Sequence, residues 1–253
     1  MKIKMMNKYN FLWIGCVALL LQLSSCGKDD YYIDGGKAKA EFDGTVLQYL
    51  QSNPKFDTIA QIIKLAEMED VFTKEEITFF APTDEVVRRT IGNMDIGGLN
   101  RELFNAGKDT IRVLSDVPTE IWKRHLMKYM LKGKYLLKDF PQLDFDLRPL
   151  YPGSYYFGYN DDLFNIGVVY NSSNGVKYAG YRQLSISYVP DPSNPNSYIV
   201  AAVASSDIQP TNGVVHALAI HIGNDNIGAT PISSASNVFG LGSDFNKDVV
   251  LEK

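Results

Sequence analysis

Residues 78–84 read Thr78-Phe79-Phe80-Ala81-Pro82-Thr83-Asp84, and the order of these residue types has a direction. With Ile77, the run begins as a short β-branched and aromatic stretch, the composition of a buried strand. Pro82 ends it, because its ring fixes φ and removes the N–H that a continuing strand would donate. Thr83 and Asp84 then offer side-chain oxygens to the open N–H groups of a first helical turn, where loss of a cap costs about 1 kcal/mol. Val86 and Val87 carry the helix onward. The segment therefore predicts a strand handing over to a helix.

Upstream, Val46, Leu47 and Leu50 have helical spacing, and Asn53-Pro54 breaks it. Ile59, Ile62, Ile63 and Ala66 predict a second helix over 58–68. Residues 92–108 read as a loop with a short helix near Leu103. Pro118-Thr119 opens a helix over 120–131, which Gly133 terminates. From Tyr151 the pattern changes to strands at 155–159, 163–170, 175–181, 184–189, 198–204 and 213–222, separated by turn residues. Residues 224–253 read as a tail, with Phe239, Leu241, Phe245, Val249, Val250 and Leu251 able to dock part of it. Helices first and strands later around one core is an α+β pattern.

Two further blocks stand in order with the first. Tyr129-Met130-Leu131-Lys132-Gly133-Lys134-Tyr135 stands at the end of the helix over 120–131, and Asn212-Gly213-Val214-Val215-His216 comes after Asp207-Ile208. Asn212-Gly213 suits a tight turn at positive φ between two strands. Val214, Val215 and Leu218 suit a strand packed into the core. Together the blocks resemble the signature segments of the fasciclin domain, over about residues 41–223. The resemblance implies a fasciclin-like fold, helices packed on a β-sandwich-like core, and an adhesion or ligand-binding role. The chemistry of Phe80, Ala81, Pro82, Thr83, Asp84, Asn212, Gly213, Val214 and His216 is mainly that of residues that hold a fold together. The family's Tyr-His pair falls on Lys128-Tyr129, so its histidine is absent, which weakens any transfer of integrin-type adhesion. Residues 141–198 are longer than the family core needs and read as an enlarged, strand-rich insertion.

The amino terminus reads as an address. Lys2, Lys4 and Lys8 precede an uncharged run from Phe11 to Leu23, the length of a signal-peptide core and short of the roughly 20 residues that span a bilayer. These residues also fit a plain secretory signal or an uncleaved anchor. Leu23-Ser24-Ser25-Cys26 resembles the bacterial lipobox. That resemblance implies a signal peptide over 1–25, lipid on Cys26 and a lipidated linker over 26–40. Lys28, Asp29 and Asp30 resemble the export signal of surface lipoproteins in one phylum of Gram-negative gut bacteria, implying the outer face of the outer membrane. Cys16 would be lost with the signal. Cys26 would be the anchor, leaving no free thiol.

The full chain has 253 residues, two cysteines and a net charge of −4; without the three signal lysines, 22 basic residues face 29 acidic ones, a balance of −7. That argues against nucleic acid as a partner. The length is enough to bury a core without disulfides or metal. Neither HExxH nor a nucleophile elbow, P-loop or GxGxxG pattern occurs, so the expectation is no enzyme, no cofactor and no metal.

Nine of the 15 tyrosines lie between Tyr151 and Tyr198, which makes this stretch the place to look for a partner. Tyr151, Tyr155, Tyr156, Tyr159, Tyr178 and Tyr181 are candidate ligand-binding aromatics, since a flat ring with a polar tip suits interfaces and sugars. The run Tyr155-Tyr156-Phe157 must send rings to both faces of a strand. The expected function is a surface-anchored binding module for an extracellular protein, matrix or glycan. The alternative is an accessory glycan- or nutrient-binding subunit of an outer-membrane transporter complex.

Overall fold

The computed structural model describes residues 40–92, 98–194, 198–219 and 239–253. The readings at Cys26, Lys28, Asp29 and Asp30, and those on the end of the strand over 213–222 and the tail before Phe239, lie outside them. β1 (Glu41–Phe42) leads into α1 (Val46–Ser52), α2 (Asp57–Leu65) and α3 (Glu69–Lys74). β2 (Ile77–Ala81) is followed by α4 (Asp84–Ile91), α5 (Leu99–Asn105) and α6 (Thr119–Met127). Then come β3 (Met130–Lys132), β4 (Gln142–Leu143), β5 (Ser154–Phe157) and β6 (Leu163–Tyr170). β7 (Arg182–Tyr188), β8 (Ile199–Pro210), β9 (Gly213–Leu218) and α7 (Ser243–Glu252) complete the chain.

The strands form one continuous path, β3-β2-β9-β8-β7-β6, with β4 and β5 both on the far edge of β6 and β1 beside β8. β2 runs parallel to β9 and antiparallel to β3. β8 joins the halves: its first residues pair with β7, and those from Val203 onward pair with β9. Register shifts between Val203 and Ile208, with Asp207 at φ 63°, mark bulges there. Bulges bend a strand and increase its twist, so the sandwich-like core takes the form of one mixed sheet curled at β8.

The main core lies between the helices and one face of this sheet. Val46, Leu50, Ile59, Ile62, Phe72 and Trp122 meet Phe79, Phe164, Ile166, Leu184, Ile186 and Val215. Thr45 starts α1 with a capping box: its hydroxyl accepts from Gln48 N–H at 3.3 Å, and the Gln48 side chain accepts from Thr45 N–H at 2.8 Å. A smaller cluster of Leu143, Val169, Val200 and Ala202 sits apart from the main core. The neighbours of Val169 on β6, Phe164, Ile166 and Val168, belong to the main core, so this cluster lies on the opposite face.

Several local expectations change. The helix over 58–68 stops at Leu65, because Glu67 sits at φ 55°, and α3 follows as a separate helix. The helix over 120–131 ends at Met127; Met130 pairs with Phe79, so sheet pairing overrides helical spacing there. The strand over 175–181 does not form: Asn174, Gly175 and Tyr178 all have positive φ, and only Ser173 and Val176 bridge. β5 ends at Phe157, and a Cβ on Gly158 would come within 2.4 Å of the Phe164 ring. Residues 243–252, expected within a tail, form α7 against α5 and α6.

Candidate binding surface

The motif residues act as ties between distant segments. Thr83 is the N-cap of α4 by position, but its hydroxyl makes no cap bond. Asp84 does not cap its own helix. Its Oδ1 accepts from Thr58 N–H at 2.8 Å, in the first turn of α2, which has no side-chain cap of its own. Its N–H donates to the Lys55 carbonyl at 2.9 Å. Phe80, Ala81 and Val214 are buried, and Pro82 separates β2 from α4. Asn212 ties its turn to α1 and to the end of α3: Oδ1 accepts from Val46 N–H at 2.8 Å, and Nδ2 donates to the carbonyls of Phe72 (3.2 Å) and Glu75 (2.9 Å). Neither Asn212 nor Gly213 has positive φ. Gly213 is required by close approach instead, since a Cβ would lie 2.5 Å from the Ile77 carbonyl oxygen.

His216 is fully buried between the rings of Phe80 (5.2 Å) and Phe140 (6.3 Å). Its Nδ1 accepts from Asp207 N–H at 3.2 Å, and its Nε2–H donates to the Tyr135 carbonyl at 3.0 Å. The neutral ring thereby holds the β8 bulge in place. Burial pushes its pKa from the ordinary 6.5 down to about 4. The unfolded chain thus binds the proton more tightly than the folded one. The stabilisation is complete above pH 6.5 and is lost as pH falls toward 4. An NMR titration of His216 in the folded protein is expected to give a midpoint near 4; a midpoint near 6.5 would contradict the neutral staple.

The six tyrosines do not converge. Tyr155 (48% exposed) and Phe157 (72%) project from one face of β5. Tyr156 turns to the other face and packs on Tyr135 (5.9 Å) and Phe140 (5.4 Å). The Tyr159 hydroxyl donates to Glu75 at 2.9 Å, beside the Lys132 ammonium. Tyr178 meets Tyr151 edge-on at 5.6 Å and donates to Asp144 at 2.8 Å. Burial of Asp144 opposes its charge. Hydrogen bonds from Tyr178, Leu147, Asp146 and Lys177 outweigh that and hold its carboxyl below the usual range. Tyr181 is exposed.

What does converge lies on the outer face of the β5–β6–β7 sheet. Tyr155 and Ser187 are the cross-strand partners of Asn165, on the face away from the main core. Arg148 lies over this face, its guanidinium 4.1 Å from the Tyr198 ring and 5.5 Å from that of Phe145. Its Nη2 donates to Asn165 Oδ1 at 3.3 Å, and no ion pair holds it among the described residues. Arg148 Nε and Ser187 Oγ are both buried without a hydrogen-bond partner. Leu147 and Leu150, on either side of Arg148 in the chain, are exposed. Sequence reading missed Arg148, Asn165 and Ser187; for the latter two the available signal was Asn165 within the apolar run of β6 and Ser185 and Ser187 at alternate positions of β7. An apolar-walled groove of about 550 Å³ also lies beside α2 and α4, lined by Leu65, Ile91, Ile111 and Val113. None of the unpartnered buried polar atoms lines it.

The fasciclin-domain family profile matches residues 54–220, which include the strand-to-helix block, the central block and Asn212–His216. The chain belongs to the fasciclin family. The curled sheet with packed helices is the fasciclin fold, and all three blocks lie within the matched residues. Among solved structures, the chain is similar to a FAS1 domain pair from the insect cell adhesion molecule fasciclin I, at 18% identity and a TM-score of 0.45. The match covers 75% of this chain and 51% of that one, so the chain spans about half the length of that structure. A search of curated proteins finds no match. The Tyr155–Arg148 face lies within the fasciclin match, in the stretch read as an insertion.

Proposed function

We propose that this fasciclin domain is a cell-surface binding module, not an enzyme, held on the outer membrane by lipid at Cys26, and that it engages an extracellular protein or matrix ligand. Family membership supports a binding role. The observation that carries the reading is the open aromatic face of Tyr155 and Phe157 beside Arg148, a cation without an ion pair among the described residues. Aromatic residues and arginine are the types enriched where protein surfaces bind. Purified mature protein should be retained on matrix-coated surfaces above an inert lipoprotein control; equal retention would overturn the reading.

The exposed rings of Tyr155 and Tyr181 favour a second reading, a glycan- or nutrient-binding subunit of an outer-membrane uptake complex. A glycan array without hits and no co-purifying transporter would exclude it. Anchoring has its own test. Cys26→Ala is expected to move the protein from the membrane fraction to the soluble fraction, with its melting temperature unchanged. More than one acyl chain is needed for stable attachment, and the variant carries none. Continued membrane retention would show that the apolar segment before Cys26 is itself the anchor.

A further inference from the structure

Arg148 is a charged group at an unusual address. Its guanidinium is stacked against Tyr198 and Phe145, its Nε is out of contact with water, and it forms one long hydrogen bond, to Asn165 at 3.3 Å. A guanidinium has five N–H donors in a planar fork that matches a carboxylate. No carboxylate lies within 4.0 Å of it among the described residues, although Asp144 and Asp146 are close in the chain. Asp144 is already held by Tyr178, Lys177 and two backbone N–H groups. Ser187, fully buried on the same face and one strand from Asn165, has a hydroxyl without a partner. Two buried donors around Asn165 therefore lack acceptors. Next to them, Tyr155 and Phe157 stand out from β5 two residues apart, on the same side.

From this juxtaposition we infer that the exposed face of β5, beside Arg148, docks an apolar protein segment carrying an acidic side chain, whose carboxylate pairs with Arg148 while its apolar residues cover Tyr155 and Phe157. The occupant is assigned as protein because Phe157, the most exposed aromatic ring among the described residues, has no polar tip and favours apolar side chains as its cover. The carboxylate follows from charge complementarity, and partial burial of Arg148 makes the pair stronger than one in open water. The inference rests on the reading of the domain as a binding module and specifies the partner of its face.

The test uses the full chain in detergent and two synthetic peptides, one alternating valine with glutamate and the other valine with glutamine. The glutamate peptide is expected to bind about tenfold more tightly, the worth of a charge-assisted hydrogen bond. Arg148→Met should abolish that preference. Phe157→Ser, at a site 72% exposed, should weaken both peptides without changing the melting temperature. Equal binding of the two peptides by wild type, or an undiminished preference in Arg148→Met, would overturn the inference. So would binding of polygalacturonate in place of the peptides, lost in Arg148→Met, because it assigns the cation to a glycan. Matrix retention separates the two levels: variants retained as well as wild type refute this face and leave the binding module standing, whereas wild type retained no better than the control refutes the module itself.

Discussion

Phe245→Ala is expected to lower the melting temperature by roughly 6–20 °C. Phe245 is fully buried, stacked on Trp122 at 5.1 Å and met edge-on by His125 at 5.2 Å. Truncating a buried phenylalanine costs about 3–5 kcal/mol, and in a domain of this size each kcal/mol is worth about 2–4 °C. The loss would spread, because Phe245 is the centre of a docked carboxy-terminal unit. Phe239, Leu241 and Val249 are buried with it. The Tyr129 hydroxyl donates to the Phe239 carbonyl at 2.5 Å and accepts from Leu241 N–H at 3.0 Å, and burial pushes that phenol well above its ordinary pKa. Asp248 lies 2.8 Å from His125 Nε2 and 2.9 Å from Arg124. Thermal unfolding followed by circular dichroism checks the prediction; a shift of less than about 2 °C would mean that α7 contributes no stability.

Gly213→Val is expected to lower the melting temperature by roughly 2–12 °C for a different reason. Gly213 pairs with Ile77 at the start of the parallel β2–β9 ladder. A Cβ there would sit 2.5 Å from the Ile77 carbonyl oxygen and 2.7 Å from Val46 Cγ2. The first neighbour is backbone and cannot rotate away. Overpacking of this kind costs about 1–3 kcal/mol, more when strands must separate. Moving β9 also pulls Asn212 away from Val46, Phe72 and Glu75, and leaves their backbone groups unpaired. A valine variant melting within about 2 °C of wild type would show that the strands tolerate the added volume.

Both effects show where the sequence was legible. Asn212-Gly213 was visible as a motif, yet a glycine needed for φ and a glycine needed for space look identical in a sequence. Thr83-Asp84 announced a cap, and the cap exists, but it closes α2, 26 residues earlier. The candidates of the Tyr-rich stretch scatter: Tyr156 packs toward the core and Tyr178 is bound to Asp144, while Tyr155 and Tyr181 are exposed. Arg148 was invisible because nothing local distinguishes it. Its significance comes from Tyr198, Asn165 and the acid it lacks.

By itself, the sequence determined the pieces whose causes are local. Pro82 stops β2, Thr45 and Gln48 start α1, the isoleucine spacing forms α2, and the apolar run of Leu163–Tyr170 forms β6. Neighbours within a turn or a strand decide these, and their periodicity is written in the chain. Only the tertiary structure decided that Met130 and Leu131 are strand, that Ser243–Glu252 is a docked helix, and that β8 bends. It also decided that Tyr155, Asn165, Ser187 and Arg148 share one face. Each depends on a partner far away in the chain, as Asn212 depends on Val46 166 residues before it. Pairing and burial between such partners outweigh the few tenths of a kcal/mol by which local propensity favours one conformation.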